Sequence, residues 1–272
     1  MVCMTSLKRP SSKPFSAGAP ESRGHPLSPG GTTYALLDAN VLLPPRLSDI
    51  LFDLCLEGLF SARWSAQIEA EFVLNWAKVA VRSRNSGSTN AEIIRAQQRL
   101  ECYKGAVHGH QVFGHDHPSV LARLPVAVNA GDRHVAAAAL VLHDYAGAGG
   151  SGDKVYLISN NLKHLAVSDM ARLGVAVISP GEFIDSLVKA DHRRVGLALE
   201  KSIDSLKTPP YTHARLLDVL RIHGAHTTAT FFCSSLEPRF VPRVNPQVRS
   251  PRPNGAFSAR SYMILEYQNT NK

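Results

Sequence analysis

The chain has 272 residues, 44% of them hydrophobic, enough for a sizeable globular core. No run of about 18 apolar residues occurs, so no membrane helix is expected. The N-terminus lacks the apolar centre of a signal peptide, and a cytoplasmic protein is expected. The net charge of +8 is concentrated at the ends: residues 1–31 carry +3, residues 237–272 carry +4, and residues 32–236 carry only +1. The basic balance therefore says little about what the folded part binds. Cys3, Cys55, Cys102 and Cys233 show no C-x-x-C spacing, which argues against a disulfide framework or a cysteine zinc site.

Residues 1–31 are rich in Ser, Pro and Gly, lack a hydrophobic period, and read as disordered. Tyr34–Leu37 is a short apolar run, a buried strand that ends at Asp38. After Pro44-Pro45, Ser48 is expected to cap a helix running to Glu57. Ile50, Leu51, Leu54 and Cys55 form its apolar face and Gly58 stops it. Phe60–Trp64 reads as a second strand, and Ser65 as the cap of a helix reaching Val81. The segment Thr89-Asn90-Ala91-Glu92 reads as a capping box opening a helix to Tyr103. A His-rich irregular stretch follows, then a short strand at Val126–Val128.

Asp132 opens a helix with Val135, Ala136, Ala139 and Leu140 on one face. Lys154–Ser159 reads as a strand, Leu162–Leu173 as a helix, Val175–Ile178 as a strand, and a further helix starts at Pro180. Helical segments at 191–206 and 212–223, joined by Lys207-Thr208-Pro209-Pro210, form an appendage over 191–225. Residues 226–272, with a proline every few positions from Pro238, are expected to be a disordered basic tail.

Strands alternating with helices over residues 32–190 predict an α/β domain with a mostly parallel sheet flanked by helices. Ligands of such sheets bind beyond the carboxyl ends of the strands. Asp38, Asp132 and Asn161 each follow a predicted strand and should share that edge. Glu71, two turns into its helix, can lean over it. Singly, each has an ordinary role: Asp132 as a helix cap, Asp38 as a turn carboxylate, Glu71 as a solvated charge. Together, several carboxylates repel one another, so either one holds a proton or a cation neutralises them. Hard oxygen donors suit Mg²⁺ or Mn²⁺ rather than zinc. His108, His110, His115 and His117, with Asp116, fit no zinc spacing. Arg133 and Lys163 flank the acids and suit either phosphate or solvent.

The segment Leu36-Leu37-Asp38-Ala39-Asn40-Val41-Leu42 resembles the first motif of PIN domains. The segment from Trp64 to Glu71 is similar to the second, Asp132-Arg133-His134-Val135-Ala136-Ala137-Ala138 to the third, and Leu157-Ile158-Ser159-Asn160-Asn161-Leu162-Lys163 to the fourth. Their order and spacing also match, over about residues 33–190. The helical appendage resembles that of VapC-type toxins of bacterial toxin–antitoxin systems. The resemblance implies a PIN-like three-layer domain and a metal-dependent endoribonuclease. Asp38 and Asp132 would ligate Mg²⁺ or Mn²⁺. Glu71 would ligate it, through water, or position the nucleophile; Asn40 would orient Asp38, and Asn161 would complete the site. It further implies a structured RNA substrate such as transfer or ribosomal RNA, a cognate antitoxin as partner, and a homodimer. The sequence departs from the pattern where Asn129, Gly131 and His164 stand in places that often hold acids. Those departures motivate an alternative, a catalytically weak PIN-fold module that binds RNA or protein. A haloacid-dehalogenase-type phosphohydrolase needs a second Asp where Asn40 stands, and ranks behind both.

Overall fold

The computed structural model describes residues 31–84, 89–148, 152–205 and 211–236. The expected disorder of residues 1–30 and 237–272, and the linker 207–210, lie outside the described residues. Four short segments form strands β1 (Thr33–Leu37), β2 (Ser61–Arg63), β3 (Lys154–Ile158) and β4 (Ala176–Ile178). All pair in parallel, in the order β2-β1-β3-β4. The central strands are almost wholly apolar: Ala35, Leu36, Leu37, Leu157 and Ile158 are completely buried. Such runs mark a sheet covered on both faces. The helix α6 (Arg133–Ala148) brings Tyr145 edge-on to Tyr34. The helix α8 (Pro180–Asp204) brings Phe183 against Tyr156, whose side chain leaves the opposite face of the sheet. The arrangement is α/β and compatible with three layers.

Between β1 and β2 the chain forms α1 (Ala39–Leu42) and α2 (Pro45–Leu56). Ser48 does not cap α2, contrary to expectation. The helix starts earlier because Pro45 occupies its first turn, where a missing N–H costs nothing. Buried one turn inside, the Ser48 hydroxyl bonds the Pro44 and Pro45 carbonyls at 3.1 and 2.9 Å. The next helix, α3 (Ala66–Arg84), is capped by Ser65, whose Oγ accepts from the Ile68 N–H. It leads to α4 (Thr89–Ala106).

No strand forms at Val126–Val128. Val126 is 97% exposed, and one buried Val128 cannot fill a strand covered on both faces. Instead the expected irregular stretch supplies an extended piece beside β2. The Trp64 N–H donates to the His110 carbonyl, and the Val112 N–H to that of Trp64, both at 2.9 Å. A short α5 (Pro118–Leu121) follows.

Beyond β3, residues Leu162–His164 form a 3-10 turn, and α7 spans only Val167–Arg172. The expected 191–206 helix is the second half of α8, entered through a kink at Asp191. There the Asp191 carboxylate accepts from the Arg194 N–H and caps the new segment. Helix α9 (His213–Ile222) follows the expected lines. The expected tail does not begin at 226: α10 (His226–Leu236) is a helix that buries Thr228, Ala229 and Phe232. Asp185 of α8 caps it, accepting from the Thr227 and Thr228 N–H groups. Among the described residues no helix is long and apolar enough to cross a membrane.

Candidate active site at the carboxyl edge of the sheet

The chain leaves β1 toward β2 on one side and returns to β3 on the other. The strand order therefore reverses between β1 and β3, where open parallel sheets form clefts. Asp38 directly follows β1 and Ser159 directly follows β3. Asp38 is only 2% exposed, yet its carboxylate is well supplied with donors. Its Oδ2 accepts from Ser159 Oγ and from Asn40 Nδ2, both at 2.6 Å. Asn40 also donates to Ser159 Oγ at 3.1 Å, and its Oδ1 accepts from the Asn160 N–H. Ser159 Oγ in turn accepts from the Asn161 N–H at 2.9 Å. The two strand ends are thus tied together through one buried carboxylate.

Burial pushes the Asp38 carboxyl above its ordinary value; the Ser159 bond opposes the shift, and the charges of Glu71 and Asp132 add to it. The three acids are therefore near enough to repel. Glu71, on α3, has Nε2 of His134 3.2 Å from Oε2 and Nδ2 of Asn75 3.2 Å from Oε1. The His134 bond holds Glu71 below its usual range. Burial alone would depress His134, but Glu71 outweighs it and the imidazole is raised.

Asp132 ends a 3-10 turn, Ala130–Asp132, just ahead of α6. The capping role open to it is taken by Asn129, whose Oδ1 accepts from the Gly131 N–H at 3.0 Å. The Asp132 carboxylate instead faces Asn161 and His164. Asn161 Nδ2 lies 3.4 and 3.3 Å from its two oxygens, and His164 Nδ1 lies 3.3 Å from Oδ2. Of the positions expected to converge, Asp132 and Asn161 are in contact, Asn161 reaches Asp38 through Ser159, and Glu71 and Asp132 bear on Asp38 only through their charges.

Three further residues belong to the site. Ser159 was visible only as one polar residue closing an apolar strand. His134 lies two positions after Asp132, and His164 three after Asn161, spacings that carry no signal until the 3-10 turns fix their direction. The His-rich loop disperses instead. His110 stacks on Trp64, His117 caps α5, and His115 lies near enough to His134 for the two charges to interact. Arg133 donates to the Leu121 carbonyl at 3.0 Å, while Lys163 is exposed.

Among the described residues no group of three or more His, Cys, Asp and Glu side chains stands close enough to hold one ion. That is unlike a zinc cage. No family model matches the chain, and no curated protein or solved structure matches it.

Proposed function

We propose that the chain is a PIN-type endoribonuclease dependent on Mg²⁺ or Mn²⁺. The observation that carries the reading is the buried Asp38 carboxylate, fixed by Ser159 and Asn40 at the β1–β3 crevice, within electrostatic reach of Glu71 and Asp132. Asp38 and Asp132 would hold the ion, with Glu71 ligating or orienting water beside it. A bound ion there supplies charge neutralisation and an acidified water for in-line attack on a phosphodiester. Ser159 and Asn40 keep Asp38 in one rotamer, so the acid is preorganised. His134 and Asn75 each engage one Glu71 oxygen and fix its orientation.

The likeness of the helical appendage to that of VapC-type toxins supports a toxin of a toxin–antitoxin pair, acting on transfer or ribosomal RNA, blocked by a cognate antitoxin and pairing as a homodimer. The test is incubation of purified protein with total RNA in Mn²⁺, Mg²⁺ or a chelator. Cleavage confined to the metal lanes and lost in Asp38→Ala is the expected result. Products that survive the chelator would overturn the reading. A second reading, a module that binds RNA without cutting it, is favoured by the histidine partners already engaging Glu71 and Asp132. It predicts retarded RNA with no products in any lane.

A further inference from the structure

Helices α3 and α4 lie side by side and leave an open groove between them. At one end Ala70 and Val73 of α3 face Leu100 of α4; at the other Ala77 and Val81 face Ile93, and Leu74 belongs to both halves. The α3 residues recur every three or four positions and make one apolar face of that helix. Such a face ordinarily packs into a core, yet Leu74 is 55% exposed. The two halves hold about 350 and 580 Å³, room for several side chains. The ends differ in charge. Glu69 and Glu101 share Lys104 at one, which leaves that end acidic, while Lys78 and Arg82 stand at the other.

The sequence holds a segment that matches both features. After Pro253 the basic tail loses its prolines, and residues 262–265 read Tyr-Met-Ile-Leu, bracketed by Arg260 and Glu266. We propose that residues 260–266 lie in the α3–α4 groove of their own chain in an extended path, with Arg260 at the Glu69–Glu101 end and Glu266 at the Lys78–Arg82 end. Extended, the steps from Arg260 to Glu266 span about 20 Å. The groove spans about 18 Å from residue 70 to residue 82 of α3. A helical segment covers about half that length and cannot bring both charges to their partners. Residues 237–261 join this segment to α10. Even as a polyproline-like spacer they reach about 80 Å, beyond the roughly 45 Å width of a compact fold of this size. The tether also holds the segment near the groove at an effective concentration on the order of millimolar, which favours it over a second copy. This contact stands apart from the proposed cleavage of RNA.

The test is photo-cross-linking of the full-length chain with a benzophenone amino acid in place of Ile264, over a range of protein concentrations, with the linked peptides mapped by mass spectrometry. The expected links join this position to groove residues of α3 or α4 within one chain, at a yield that does not change on dilution. Leu74→Glu, at a half-exposed position, should lower that yield about tenfold. Glu266→Arg should lower it as well, and Arg82→Glu in the same chain should restore it. Links to other surfaces, an absence of links to α3 and α4, or links between two chains that fade on dilution overturn the proposal; the last outcome gives the groove to a second copy. A yield indifferent to Leu74→Glu and to the charge exchange overturns it too.

Discussion

Asp38 carries a carboxylate into a place where charge is costly. Its pKa is raised above the ordinary 3.8, so the folded state holds the proton more tightly than the unfolded chain does. Stability then falls as pH rises from 3.8 through the raised value. In metal-free protein, Asp38→Asn should therefore raise the urea midpoint at about pH 7, with the gain fading toward pH 4. A midpoint lowered equally at both pH values would contradict this. Ser159→Ala removes a charge-assisted donor from the same carboxylate and should cost about 1.5–3 kcal/mol. Glu71 and His134 work the opposite way. The Glu71 contribution is present above 4.5 and is lost as pH falls through its lowered value. That of His134 is present below 6.5 and is lost as pH rises through its raised value. Their joint stabilisation is greatest between those limits. Histidine ring signals followed by NMR should show His134 titrating lower in Glu71→Gln; an unshifted titration would mean that the pair does not form.

Helix α4 carries a buried cation. Arg99 is 4% exposed and donates to Ser48 Oγ and the Pro45 carbonyl of α2. Its guanidinium lies 3.6 Å from Asp49 and over the rings of Trp76 and Tyr103. Arg99→Leu strands these acceptors and should cost about 3–5 kcal/mol in chemical unfolding. A loss below about 1 kcal/mol would show that the network is not held in solution. The sequence made α4 legible through its Thr89–Glu92 start, but Arg99 looks like any helix-surface arginine until α2 covers it. Strand β1 was legible because apolar residues fill both of its faces. Val126–Val128 imitated that signal over too few residues, and Pro125 ahead of it belongs to a turn. Asp38 was legible because a strand end fixes where its carboxylate sits; Asp132 was placed at this edge by a strand that does not form, and Glu71 sits on helix α3. Their histidine partners were not, because backbone turns at Ala130–Asp132 and Leu162–His164 decide where those rings point. The appendage was half legible: α10 lacks charge periodicity and shows itself only through burial against α8 and α9.

At the scale of the whole molecule, α8 makes the appendage continuous with the sheet domain. Ser202 bonds Asp53 of α2, Arg194 bonds the Glu57 carbonyl, and Lys201 pairs with the Glu57 carboxylate. Arg46 of α2 lies over the Tyr211 ring, 4.8 Å from its centroid, at the entry to α9. The turn between α9 and α10 closes directly on α8. A Cβ at Gly181 would stand 2.2 Å from the backbone of Gly224, which itself has φ +84°. Gly181→Ala must therefore push the turn away and should cost about 1–3 kcal/mol. Tryptophan fluorescence, reporting Trp64 and Trp76, and far-UV circular dichroism should give one coincident transition in urea. Separate transitions would show that the appendage folds on its own. On the proposed function, RNA cleavage depends on Asp38 at the β1–β3 crevice. Sequencing of 5′-phosphate RNA ends after brief expression tests it most directly. New ends at defined positions should appear with the wild-type chain and vanish with Asp38→Ala; equal ends from both proteins would contradict the claim.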